Sequence, residues 1–192
     1  MRILTPLVLS ACAVFAQTAM FHNCPPEGTW KTEEDKALNT LKNRWTAPDP
    51  INKQVDLAEV VAPGPDEHRF GNGWGATLEG YIVALKLEGP EGCNCESPAP
   101  DERDFHIWFG LKPSALKREC MVIEITPRWR EAKKWDVSEI KSWKSRRVRV
   151  TGWFFWDPRH ASMAVNSTPS AKLLARATCW ELHPVTSVEV LP

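Results

Sequence analysis

The sequence has almost no net charge to present to a partner. Its 24 lysines and arginines are matched by 24 aspartates and glutamates, so no long-range field draws nucleic acid or an anionic membrane to the whole molecule. Any charged ligand must be held locally. Familiar catalytic signatures are also missing. No nucleophile elbow, phosphate-binding P-loop or HExxH pair occurs, which leaves a serine hydrolase, a nucleoside triphosphatase and a zincin without support. The cluster Gly71-Asn72-Gly73-Trp74-Gly75 lacks the preceding strand that a dinucleotide-binding loop requires. There is no internal repeat, and the apolar run from Ile3 to Phe15 is too short to span a bilayer and stay there.

That run follows a single arginine, Arg2, and leads to Val14-Phe15-Ala16, which suits removal of residues 1–16 as a signal peptide. Leu9-Ser10-Ala11-Cys12 offers a competing reading as a lipobox that would leave Cys12 as a lipid anchor. Export predicts a secreted or periplasmic protein with at least one disulfide among Cys24, Cys93, Cys95, Cys120 and Cys179. Five cysteines allow at most two internal bridges. Cys93 and Cys95 resemble one arm of a metal clip, but the paired CxxC spacing of a zinc site is absent, and bridging is the better expectation.

A helix is predicted over 33–45, where Thr32 and Asp35 form a capping start and Ala37, Leu38, Leu41 and Trp45 recur at helical spacing. Residues 46–75, rich in proline and glycine, read as an ordered arm with a short apolar piece at 55–61, so 17–75 form a helix and arm packed on the rest. From 76 to 192 the pattern is three strands (76–88, 105–111, 120–126), a helix capped by Asp136, then two strands (147–156, 185–191). That order predicts a mainly β protein with helices, built as a five-stranded OB-type barrel. Its usual ligand surface lies between the loops after the first and fourth strands. Those loops are long here, at 89–104 and 157–179.

Period-two spacing places His106 and Trp108 on one face, with Asp104 just before them, and Glu124 on the face opposite Ile123 and Ile125. A turn centred near Ala115 sets His106 opposite Glu124. Thr151, Trp153 and Phe155 share a face, followed by Asp157, Arg159 and His160. Glu181 and His183, two apart, face the same way just before the last strand. A lone histidine or glutamate on a strand is usually only its solvated side. His106 and Glu124 stand inside apolar strands, however, where an unpaired charge costs several kcal/mol, so each is expected to have a partner. A purely structural network is the bland alternative to a site.

Asp104-x-His106, Glu124-Ile-Thr-Pro127, Gly152-x-Phe154-Phe155 with Asp157 and His160, and Glu181-Leu-His183-Pro184-Val185 together resemble a pattern found in a set of secreted bacterial proteins of unknown function. The likeness covers the C-terminal two-thirds of the chain, and the ELHPV ending is its most specific part. It implies that these positions act as a unit and implies no particular reaction.

Two functions follow as expectations. In the first, a hydrolase of phosphodiesters, His106, Glu124, His160, Glu181 and His183 are the catalytic candidates. His106, Glu124 and His183 would hold one divalent metal ion, while Asp104, Trp108, Arg128, Trp153 and Arg159 contact substrate. A metal-free version uses a histidine and carboxylate as acid and base. In the second, a non-catalytic module binds an extracellular oligosaccharide or nucleotide on a tryptophan-lined face. Ten tryptophans suit such stacking, although Trp30, Trp45, Trp135 and Trp143 read as packing residues.

Overall fold

A computed structural model describes Met20 to Pro192. The expected leader over 1–16 and the lipobox cysteine, Cys12, lie outside the described residues. Six strands form: β1 (Ile51–Asn52), β2 (Gly75–Leu87), β3 (Phe105–Gly110), β4 (Met121–Ile125), β5 (Arg147–Trp156) and β6 (Trp180–Val190). The last five close into a barrel in the order β2-β3-β4-β6-β5 and back to β2. β4 and β6 run parallel and the other barrel pairs antiparallel, and β1 lies outside the barrel, parallel to the start of β2. The expected succession of three strands, helix and two strands is therefore present. The connection between β4 and β5 carries two short helices, α3 (Pro127–Lys133) and α4 (Val137–Ser142).

Alternation decides what fills the barrel. Phe105, Ile107 and Phe109 of β3, Ile123 and Ile125 of β4, Val148, Val150 and Phe154 of β5, and Trp180 and Leu182 of β6 point inward and share one apolar core. Each such side chain contributes roughly 1.5–3 kcal/mol by leaving water. Gly152 lets β5 and β6 approach closely, because a Cβ there would lie 2.8 Å from the Pro184 carbonyl oxygen.

Alternation fails to predict the other side. Every residue of β3 and β4 is buried, including those facing out of the barrel. The cover is the N-terminal segment, in which α1 (Glu33–Lys42) is capped by Thr32, whose Oγ1 accepts from Asp35 N. A disulfide between Cys24 and Cys95 ties this segment to the β2–β3 loop. Asn43 Nδ2 donates to the Pro26 and Cys93 carbonyls at 2.9 and 2.7 Å, and Arg128 Nη1 donates to Asn43 Oδ1 at 2.7 Å. α2 (Leu57–Val61), capped by Asp56, sends Leu57 and Val60 into the main core. The molecule thus has an apolar core inside the barrel and a second, polar layer between barrel and arm.

Candidate functional site

The polar layer is built on the outward positions of β3, β4 and β6. β3 and β4 pair with His106 opposite Glu124, the register expected from the sequence. β6 begins at Trp180, five residues before its expected start, so Glu181 and His183 are strand residues, and Glu181 lies beside Val122 of β4. Trp180 and Leu182 enter the core, while Glu181 and His183 turn to the opposite face. Asp104 precedes β3 and Glu88 follows β2. All of these side chains except Glu88 are buried.

Glu124 is at the centre. His106 Nδ1 lies 3.0 Å from Glu124 Oε1 and 3.0 Å from Glu88 Oε1. Glu124 Oε2 lies 3.3 Å from His183 Nδ1, which is also within hydrogen-bond distance of Glu181 Oε2 at 3.4 Å. His183 Nε2 is 3.5 Å from Asp104 Oδ2. Neither Glu124 Oε2 nor His183 Nε2 has a hydrogen-bond partner, although both are buried. Asp104 is held from the other side by Asn94 Nδ2 at 2.9 Å, with the Cys93 thiol 3.9 Å from its Oδ2.

These contacts set the protonation of the cluster. Burial by itself lowers the basicity of His106, but hydrogen bonds to Glu124 and Glu88 outweigh it and raise its pKa to about 9. His183 behaves alike: burial opposes charging, while the Glu124 charge and contacts with Asp104 and Glu181 raise its pKa to about 10. Burial would raise the Glu88 carboxyl, yet hydrogen bonds with His106 and Lys86 bring it down to about 2. Glu181 stays well below the usual carboxylate range against the cost of burial, because Arg176 Nη1 lies 2.5 Å from its Oε1.

Four participants have no local sequence signal. Arg176 comes from the β5–β6 loop and Lys42 from the end of α1, where Lys42 Nζ meets Asp157 Oδ2 at 3.3 Å. Glu88 and Glu91 flank the end of β2. A buried carboxylate needs a compensating cation, but that general rule does not say which lysine or arginine supplies it.

Beside the cluster opens a cavity of about 250 Å³, whose wall includes Lys31, Lys42, Glu91, Cys93, Asp157, Arg159 and His160. Burial first, then the charges of Glu124 and Asp104, raises the Glu91 carboxyl to about 8. His160 Nδ1 lies 3.0 Å from Asp157 Oδ2, and Arg159 pairs with Asp35. Arg159 and His160 therefore belong to the cavity rim, one step removed from His106, Glu124 and His183, although His160 offers a ring nitrogen within 4.8 Å of a Glu181 oxygen.

The remaining expected contacts lie elsewhere. Arg128 is fully buried and bonded to Asn43 and the Cys24 carbonyl, where it pins the arm to α3. Trp108 packs against His106 at a tilt of 57°, donates Nε1 to the Ala175 carbonyl and is covered by Lys117. Trp153 donates to the Thr46 carbonyl beneath Arg44. Each ring edge and the guanidinium fork is occupied by the protein itself, so a ligand-stacking or phosphate-clamping role gains no support from these positions. Among the described cysteines, Cys93, Cys120 and Cys179 are free and buried.

Donor sets with the spacing of a metal site are Glu88–His106–Glu124, Asp104–Glu124–His183, Glu91–Cys93–Asp104 and Asp157–His160–Glu181. Oxygen and imidazole donors of this kind suit a divalent ion such as zinc, manganese or magnesium. In comparisons with known proteins, no family model, curated protein or solved structure matches this chain.

Proposed function

We propose that the protein is an exported, metal-dependent hydrolase that cleaves a phosphodiester. The observation that carries this reading is the pair of buried atoms without hydrogen bonds, Glu124 Oε2 and His183 Nε2, beside Asp104. An unsatisfied buried polar atom costs about 1–3 kcal/mol, and a divalent cation among Asp104, Glu124 and His183, which offer donor atoms within 4.8 Å of one another, would relieve part of that cost. Such an ion lowers the pKa of a bound water and polarises a phosphoryl oxygen.

The chain's own residues supply the rest. Lys42, Lys31 and Arg159 on the cavity wall offer positive groups to a phosphate. Glu91 on the same wall holds a proton at neutral pH and is suited to give it to the departing alkoxide. The step is hydrolysis: the water's hydroxyl bonds to phosphorus, the ester P–O bond breaks, and the leaving alcohol takes a proton from Glu91, which regains one from the water. The Cys24–Cys95 disulfide and the apolar N-terminal run support work in a secreted or periplasmic setting. Among the described residues no helix is long and apolar enough to cross a membrane.

The test is turnover of bis(4-nitrophenyl) phosphate and short DNA and RNA strands with Mg²⁺, Mn²⁺ or Zn²⁺ supplied. Glu124→Gln and His183→Ala are expected to lower kcat about 10²-fold or more with little change in substrate affinity. Absence of turnover with every metal, or full turnover in both variants, contradicts the reading. One observation favours the alternative of a non-catalytic binding module. A cavity of about 590 Å³, lined by Val61, Pro63, Leu111, Ala115, Val165 and Leu174 among others, contains none of the titratable cluster and is of ligand-binding size.

A further inference from the structure

The geometry points to a centre for two divalent ions, with Glu124 as the carboxylate that bridges them. This inference rests on the metal-dependent reading above and deepens it. Glu124 directs its two oxygens to two different histidines, Oε1 to His106 and Oε2 to His183. Each histidine has a further carboxylate of its own, Glu88 at 3.0 Å and Asp104 at 3.5 Å. The cluster is therefore two similar halves, each with one imidazole and one terminal carboxylate, joined through Glu124. Both halves keep their donor atoms within 4.8 Å of one another.

The separations fit coordination. An ion with bonds of about 2.1 Å places neighbouring ligand atoms roughly 3.0–3.4 Å apart in octahedral or tetrahedral geometry. In the first half both contacts meet at one atom, His106 Nδ1, at 3.0 Å; in the second, Asp104 Oδ2 lies 3.5 Å from His183 Nε2 and Glu124 Oε2 3.3 Å from the other ring nitrogen, Nδ1, with one donor atom from each residue within 4.8 Å of the others. His183 is oriented as a metal ligand would be. Its Nδ1 faces Glu181, which Arg176 holds in turn, and its Nε2 is left buried and unpartnered toward Asp104. Glu181 is thus a positioning residue.

The neighbouring donor sets are less suited. Lys42, itself largely buried, occupies the Asp157 carboxylate and Arg176 the Glu181 carboxylate, whereas the cation beside Glu88 is the half-exposed Lys86, 2.8 Å away, which can turn to solvent. Ions would enter on the Glu88 side, where the Glu88 side chain keeps 17% of its exposure and His106 8%.

Geometry gives the ligand class. Two ions joined through Glu124, whose oxygens face His106 and His183, would present a paired clamp for the attacking and leaving oxygens of a phosphate ester, the arrangement that two-metal hydrolysis uses.

The experiment is metal counting. The protein, stripped with chelator and re-equilibrated with Mn²⁺, is desalted and assayed by elemental analysis per chain, with electron paramagnetic resonance on the same sample. Two Mn²⁺ per chain with the multiline spectrum of an exchange-coupled pair are expected. Glu88→Gln, a conservative change at the more exposed end, is expected to hold one ion with an uncoupled signal, and His106→Ala is the second variant should that one fold poorly. One ion in the parent overturns the paired centre and leaves the metal-dependent reading standing, whereas none overturns both. Two ions in the parent and in both folded variants overturns the assignment of Glu88 and His106 as ligands.

Discussion

Glu124 turns one oxygen toward each of two histidines, and the consequences at residue scale are electrostatic. Arg176 is almost wholly buried and its guanidinium is the partner of an equally buried Glu181. Removing one member of such a pair strands the other, so Arg176→Ala is expected to cost about 3–5 kcal/mol, read as a lower urea midpoint. An unchanged midpoint would show that Glu181 does not depend on it. The pH dependence of the chelated protein follows from the raised histidines. Their folded-state values of about 9 and about 10 exceed the ordinary 6.5, so their stabilising contribution is complete below about 6.5 and is lost as pH rises through 9 to 10. Glu88 runs the other way, with its contribution present above 4.5 and lost as pH falls toward 2. Urea midpoints are therefore expected to be highest between about pH 4.5 and 6.5 and to fall steadily to pH 10; a rise from pH 6.5 to 10 would contradict the assignment. Asp104, His106, Glu124, Glu181 and His183 were legible as neighbours because a period of two fixes which way a strand residue points. Lys42 was not, since a lysine at the end of an exposed-looking helix carries no mark that its ammonium reaches Asp157 across the fold.

At the scale of elements, the arm turns a half-solvated barrel face into a buried one. The Cys24–Cys95 bridge spans 71 residues of sequence and fastens the arm to the β2–β3 loop. Gly28 makes the close approach possible, with φ +60° and a would-be Cβ only 2.1 Å from the Gly92 carbonyl oxygen. Closing a loop of that length by a disulfide contributes about 2–4 kcal/mol. The double change Cys24→Ser with Cys95→Ser is expected to lower stability by that amount and to speed hydrogen exchange at β3, β4 and the start of β6. Exchange unchanged in those strands would show that the arm stays docked without the bridge. The strands themselves, the Thr32 and Asp136 caps, and the pairing of His106 with Glu124 were readable from periodicity and capping chemistry. The cover was not. Contacts made by Asn43 and Arg128 link segments far apart in sequence, and nothing in a proline-rich arm states which surface it will lie against. The early start of β6 has a similar cause: pairing with β4 at Glu181 and Leu182 and with β5 out to Trp180 extends it, a tertiary effect outside the alternating run that marks the later residues.

At the scale of the whole molecule, a near-neutral chain buries one small group of its charges between barrel and arm. The apolar interior holds the barrel together, and the polar layer outside it gathers the buried titratable groups, with the cavity lined by Lys42, Glu91 and Arg159 beside them. The central claim is that the layer holds a divalent ion through His183 and Glu124. Calorimetric titration of Zn²⁺ or Mn²⁺ into the chelator-stripped protein at pH 7.5, repeated in buffers of different ionisation enthalpy, measures binding and proton release together. Because the free histidines carry protons at that pH and a ligating imidazole cannot, binding is predicted to release protons, and His183→Ala to reduce both the affinity and the release. No binding, or binding with the same affinity and proton count in folded His183→Ala, would contradict the account.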